Sequence, residues 1–213
     1  MGFKLIVFDF DGTLADTSAL IWSTMNRALA ENGFPAVSHK KLRPLVGLTL
    51  EQMLSIIAKA ASERQVAKIA ADYREIYLEA PKSARLYPGV RETLENLKAE
   101  GKILAIATSK SQKGLNAMLD ALELHAFFSA VATQDMVARK KPSGDMVQKI
   151  LSETGMRAED ALVVGDTVYD VEMGKDAGAK TCAVTYGAQD EKMLLQAKPD
   201  FVISRIGDLR GIV

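Results

Sequence analysis

Thiol and imidazole are scarce in this chain. A single cysteine, Cys182, excludes an intramolecular disulfide, and two histidines, His39 and His125, are too few and too far apart to suggest a zinc site. Neither sign of charge is in excess. Lys+Arg and Asp+Glu both number 27 over 213 residues, so no general field draws a polyanion such as nucleic acid, and any anionic ligand must be held by local groups. Long apolar runs are missing as well: no stretch reaches the ~18 residues of a membrane span. The N-terminal MGFKLIVFDFDG lacks the basic region and small-residue cleavage site of a signal peptide. No membrane partner and a reducing cytoplasm are therefore the expectation. With 48% hydrophobic residues, the chain is long enough for one large domain or for a core domain with a smaller companion.

What is present is a series of short apolar runs: KLIVFDF (4–10), ILAIAT (103–108), AVAT (130–133), ALVVGD (161–166), KTCAVT (180–185) and DFVIS (200–204). Their near-continuous apolarity marks strands covered on both faces, and helical patterns separate them. One is VRETLENLKAEG, where Val90, Leu94 and Leu97 share a face and Gly101 supplies a left-handed stop. The alternation predicts an α/β fold, a doubly wound parallel sheet. From Thr17 to about Ala84 no strand-like run occurs. Val66, Ile69, Ala70, Tyr73, Ile76, Tyr77 and Ala80 follow helical spacing up to Pro81, and ALIWSTMNRALAENG predicts another helix. Leu20, Trp22, Met25, Met53, Ile56 and Ile57 read as core. The expected organisation is an α/β core, 1–15 and 85–213, interrupted by a helical subdomain, 16–84.

In an open parallel sheet, residues just beyond the strands converge at the carboxyl edge. Here these are Asp9, Asp11, Gly12 and Thr13; Thr108 and Ser109; Lys141 and Pro142; Gly165, Asp166 and Asp170. Four acids at one edge repel, each close pair by up to about 4 kcal/mol at an effective dielectric of 20. An oxygen-only donor set suits a hard cation, and Mg²⁺ favours a few carboxylates together with water and phosphate oxygens. Asp16, just before the ALIWSTM helix, is expected to cap it.

These motifs resemble those of the haloacid dehalogenase superfamily, and the likeness spans the chain: Asp9–Thr13, Thr108, Lys141 and Gly165–Asp170 match its four motifs in order. The helices between the first two correspond to that family's C1 cap, and LYPGV (86–90) is similar to phosphoglycolate-phosphatase-like members. KPSGD departs from the pattern, with Gly144 where many relatives have proline, a change expected to alter loop stiffness more than chemistry. The resemblance implies a phosphomonoester hydrolase acting on a small phosphorylated metabolite, phosphoglycolate or similar. Asp9 is then the nucleophile, forming an aspartyl-phosphate, and Asp11 the general acid and base. Mg²⁺ falls to the Asp9 carboxylate, the Asp11 main-chain carbonyl and Asp166, with Asp170 orienting a metal water or Lys141. Gly12, Thr13, Thr108, Ser109 and Lys141 bind phosphate. In the cap, HKKLRPLVGLTLEQML lies where the resemblance puts the specificity loop, with Arg43 as the expected contact for a carboxylate or second phosphate and Pro44 and Gly47 shaping the turn.

Within the superfamily, dehalogenases lack the second acid that Asp11 supplies. A Schiff-base lysine, as in phosphonatases, would come from Lys40, Lys41 or Lys59, which read as solvated. Sugar phosphomutases share both aspartates and remain an alternative, though VGDTVYD is closer to phosphatases. From another class, a phosphoryl-accepting signalling module combines similar residues but carries its acid on a mid-domain strand and has no large helical insertion. A phosphate-binding protein without turnover would have no need of Asp11.

Overall fold

The computed structural model describes residues 2–79 and 84–213. The first strand, β1 (Leu5–Phe8), leads into the acidic stretch and a two-residue strand, β2 (Ala15–Asp16). Four helices follow, α1 (Ser18–Glu31), α2 (His39–Leu42), α3 (Leu50–Ile57) and α4 (Glu63–Glu79), before another short strand, β3 (Arg85–Leu86). Beyond it, helices and strands alternate: α5 (Val90–Ala99), β4 (Ile103–Thr108), α6 (Gln112–Ala121), β5 (Ala130–Thr133), α7 (Asp145–Thr154) and β6 (Ala161–Gly165). The chain then continues through α8 (Val168–Asp176), β7 (Lys180–Val184), α9 (Glu191–Gln196) and β8 (Phe201–Ile203).

Six strands form one sheet in the order β5-β4-β1-β6-β7-β8, every neighbour parallel. Leu5 pairs with Ile103 on one side and Ala161 on the other, which puts β1 between the two halves of the sheet. That position is the topological switch point, where a doubly wound sheet opens a crevice at its carboxyl edge. Successive side chains of β1 serve opposite faces. Ile6 and Phe8 join the apolar layer that includes Leu94, Leu97, Leu115 and Met118, whereas Leu5 and Val7 pack with Met146, Val147, Ile150 and Met173. Both faces being covered is why the strand is apolar at every position. Each such side chain contributes about 1.5–3 kcal/mol of burial.

The helical segment leaves and rejoins the sheet through adjacent crossings, Ala15 pairing with Leu86 and Asp16 with Arg85 in antiparallel register. Leu20, Met25, Met53, Ile69, Ala70, Tyr73, Ile76 and Tyr77 are buried as their spacing predicts. Trp22 and Ile56 depart from that reading, at 38% and 43% exposure. Trp22 lies at the edge because its indole N–H donates to the Val37 carbonyl at 2.9 Å, and Ile56 faces outward near the end of α3. Ala80 and Pro81 lie outside the described residues. Asp16 is not the capping residue of α1; that position is held by Thr17, and among the described residues Asp16 Oδ1 accepts from the Ser18 N–H alone, at 3.3 Å. Among the described residues, no helix is long and apolar enough to cross a membrane.

Candidate active site

The Asp9 N–H donates to the Val164 carbonyl at 2.9 Å, extending the β1–β6 ladder into the acidic stretch and seating Asp9 at the switch point. The chain then turns tightly, with Leu14 and Ala15 both donating to the Phe10 carbonyl. Gly12 makes this possible at φ +87°, and a Cβ there would stand 2.1 Å from Asp166 Oδ2. A side chain at Gly12 would therefore push Asp166 out of the cluster. Asp166, at the end of β6, accepts from the Thr13 hydroxyl at 2.8 Å and the Ala188 N–H at 2.7 Å. Asp170, on the first turn of α8, accepts from the N–H and hydroxyl of Thr167 at 3.0 and 2.6 Å in a reciprocal cap.

Lys141, from the loop before α7, has no exposed side-chain surface and bridges two of these acids, lying 2.6 Å from Asp9 Oδ1 and 2.7 Å from Asp170 Oδ1. Carboxylate oxygens of Asp9, Asp166 and Asp170 lie within 4.8 Å of one another. Three buried carboxylates against one ammonium leave the cluster short of positive charge. Burial first, and then the neighbouring charge of Asp170, push the Asp9 carboxyl up to about 7, with Lys141 opposing. Asp166 is raised well above the carboxylate range by burial, Asp9 and Asp170. Burial alone would lower Lys141, but Asp170 and Asp9 hold it above the ordinary lysine value. A hard dication suits this donor set: oxygen ligands only, with negative charge left to offset.

Asp11 stands apart from that cluster. Its carboxylate accepts from the Lys110 ammonium at 2.8 Å on both oxygens and from the Thr17 hydroxyl at 2.6 Å on Oδ1. Lys110 also reaches the hydroxyl of Tyr77, on α4, at 2.6 Å. The sequence reading overlooked Lys110, although it stands two residues beyond β4, where the same strand-end rule applies. Thr108 is buried at the end of that strand, and its hydroxyl accepts from the Lys110 N–H at 3.3 Å. Asp9, Asp11, Thr108, Ser109 and Gly47 open onto one cavity of about 550 Å³, whose opposite wall includes Leu48, Met53 and Tyr77.

The loop from 43 to 47 is seated on the sheet edge by main-chain carbonyls. The Ser109 hydroxyl donates to Gly47 O at 2.6 Å, Gln189 Nε2 to Pro44 O at 3.2 Å, and Arg43 Nη2 to Gly187 O at 2.5 Å. Gly47 thus meets the catalytic edge, whereas the Arg43 guanidinium is held on Gly187 and does not line the cavity. Lys40, Lys41 and Lys59 are exposed. The departure at Gly144 has a local reason: its N–H donates to Asp176 at 2.7 Å, a bond proline could not make.

The haloacid dehalogenase-like hydrolase family matches residues 6–184. A phosphoglycolate phosphatase of Aquifex aeolicus is 33% identical, covering 97% of this chain and 94% of the relative. The pyrophosphatase PpaX of Bacillus cereus is 31% identical over 100% of this chain and 97% of its own. Among solved structures, a protein of Haemophilus somnus described as a predicted phosphoglycolate phosphatase superposes with a TM-score of 0.89 at 29% identity, covering 99% of this chain and 97% of that one. The chain belongs to the haloacid dehalogenase-like hydrolases, and it is a phosphatase of the phosphoglycolate-phosphatase-like kind.

Proposed function

We propose that the protein hydrolyses small phosphomonoesters in two steps through an aspartyl-phosphate on Asp9, with residues 16–84 as a cap over the catalytic core. The observation that carries this reading is the buried Asp9–Lys141–Asp170 bridge beside Asp166, with Asp9 opening onto the cavity. Lys141 engages Asp9 Oδ1, which leaves Oδ2 to attack phosphorus. The new O–P bond forms as the ester P–O bond breaks, and the departing alkoxide takes a proton from Asp11. Water then returns a proton to Asp11 as it attacks phosphorus, releasing phosphate and restoring Asp9. Thr108 and the Ser109 N–H bind phosphoryl oxygens, the turn at Gly12 and Thr13 lets the backbone approach them, and Lys141 offsets charge gathered during transfer.

Asp9, Asp166 and the Asp11 main-chain carbonyl would hold Mg²⁺, with Asp170 supporting the site; the ion supplies the positive charge that lets an anionic carboxylate meet an anionic phosphate. Arg43 and Gly47 serve here to seat the cap loop, Arg43 through Gly187 and Gly47 through Ser109. The relatives support a substrate class: phosphoglycolate and pyrophosphate each have a small leaving group that carries an anion of its own, and a monoester of that kind is the reading for this chain. Asp9→Asn keeps the shape of the side chain and removes the nucleophile. Its expected turnover of phosphoglycolate with Mg²⁺ is below detection, with an unchanged circular dichroism spectrum. Retention of a few per cent of wild-type turnover in a pure preparation would overturn the assignment.

A further inference from the structure

Lys110 is a buried cation inside the substrate cavity to which neither the family motifs nor the mechanism above gives a role. Its side chain is only 8% exposed, and the carboxylate it pairs with, Asp11, is 12% exposed. The main chain at Lys110 is pinned on both sides, its N–H by Thr108 and its carbonyl by the Gln134 N–H at 3.2 Å. The ammonium lies 4.4 Å from the centroid of the Tyr77 ring and 5.8 Å from that of Phe10, so aromatic carbon replaces much of its water. Two other cationic side chains on the cavity wall differ in kind. Arg74 is 41% exposed and paired with Glu51, and Lys113 is exposed on the first turn of α6.

We propose that Lys110 determines substrate choice by taking the anionic group of the leaving group, and that in doing so it releases Asp11. This rests on the phosphomonoesterase reading. Asp9 and Asp11 follow β1 and Lys110 follows the neighbouring β4, and all three open onto the same cavity. The leaving oxygen must reach Asp11, so an anion two or three bonds from that oxygen falls beside the ammonium that now holds Asp11. Both oxygens of Asp11 are engaged by Lys110, one of them also by Thr17, and an acid so held is not free to serve a leaving oxygen. When a carboxylate or second phosphoryl group draws Lys110 away, Asp11 keeps the Thr17 bond that orients it. An ester with a neutral leaving group brings nothing to exchange for Asp11. Recognition of the second anion and availability of the acid are thus one event, and esters of neutral alcohols are disfavoured even when they fit.

The test compares phosphoglycolate with ethyl phosphate, whose leaving groups are similar in size and differ in charge, in the wild type and in Lys110→Met with Mg²⁺. Wild type should favour phosphoglycolate in kcat/KM by about 10- to 100-fold, the worth of a charge-assisted hydrogen bond. Lys110→Met should bring the two esters within about threefold of each other, by losing phosphoglycolate and by gaining ethyl phosphate once Asp11 is no longer held. Pyrophosphate as a third substrate distinguishes a phosphoryl from a carboxylate partner, according to whether its rate or that of phosphoglycolate falls more. A purely structural role would lower every ester alike and leave the ratio standing, which would overturn the proposal. Equal wild-type rates for the two alkyl esters would overturn it as well. If Lys110→Met does not fold, inhibition of the wild type decides. Glycolate should inhibit about 10-fold more tightly than the isosteric, neutral glycolamide, and equal inhibition refutes the role. Absence of turnover of all three compounds by the wild type would instead count against the phosphomonoesterase reading.

Discussion

Replacing Lys141 by methionine removes the one ammonium inside the acidic cluster while nearly preserving the length of the side chain. Each of its contacts, at 2.6 and 2.7 Å, is worth about 6 kcal/mol at an effective dielectric of 20. Much of that attraction offsets the several kcal/mol needed to bury the ammonium, and the net cost of breaking such a pair from one side is about 3–5 kcal/mol. The cost depends on pH with a definite sign. The folded-state pKa of Asp9 is raised from the ordinary 3.8 to about 7, chiefly by burial. The protonated carboxyl therefore favours the folded state fully below its unfolded pKa, and that contribution is lost as pH rises through the folded pKa. Without Lys141 the carboxyl moves further up, so the deficit of the variant should widen between about pH 5.5 and about pH 8. In EDTA at the higher pH, the variant should melt about 6–20 °C below wild type, the span that 3–5 kcal/mol produces in a chain of this size. Urea unfolding at both pH values measures the deficit directly. A deficit under about 1 kcal/mol at the higher pH, or one that shrinks as pH rises, would refute the view that Lys141 offsets Asp9 and Asp170.

Two further outcomes follow from the same geometry. Metal and protons compete for the Asp9 and Asp166 carboxylates, both raised by burial, so the rise in melting temperature on adding Mg²⁺ to EDTA-treated protein should be larger at about pH 8 than at about pH 5.5; equal shifts would place the ion elsewhere. Asp11→Asn should slow phosphoglycolate, an alkyl ester whose leaving group carries an anion, by at least ~10²-fold and aryl phosphates far less, because a phenolate departs with little help from an acid. Single-turnover rates for one ester of each kind check this, and an equal fractional loss would assign Asp11 to structure and not to proton transfer.

Much of the site was legible because the topology leaves little freedom. A run such as LIVF, apolar at every position, is a strand buried on both faces, and strands of that kind lie parallel with their carboxyl ends at one edge. Asp9, Thr108 and Asp166 had to meet there once the runs before them were read as strands, and Asp170 follows one turn into α8. Lys141 was legible for a different reason: it lies in the loop that follows β5, eight residues past the strand, and the resemblance, with its lysine before a proline, singled it out.

The remainder depended on tertiary structure. The β2–β3 pair is two residues long on each side, too short for any periodicity, and exists only because the two crossings of the chain lie side by side. Trp22 has the spacing of a core residue, yet its N–H finds the Val37 carbonyl at the edge. Arg43 in a cap loop suits an anion equally well by type, and what directs it to Gly187 is the docking of residues 43–47 on the sheet edge. Lys110 is the clearest case. A lysine after Thr-Ser has the local signature of a solvated loop, and its burial comes from Tyr77, 33 positions away on α4, and from Asp11, 99 positions away beyond β1. By itself the sequence determined which residues stand at the ends of buried strands, since hydrophobic periodicity and backbone geometry are local. Which charge each long cationic side chain meets was decided only by the fold, because a lysine or arginine stem reaches several partners and the loops that converge on it set the choice.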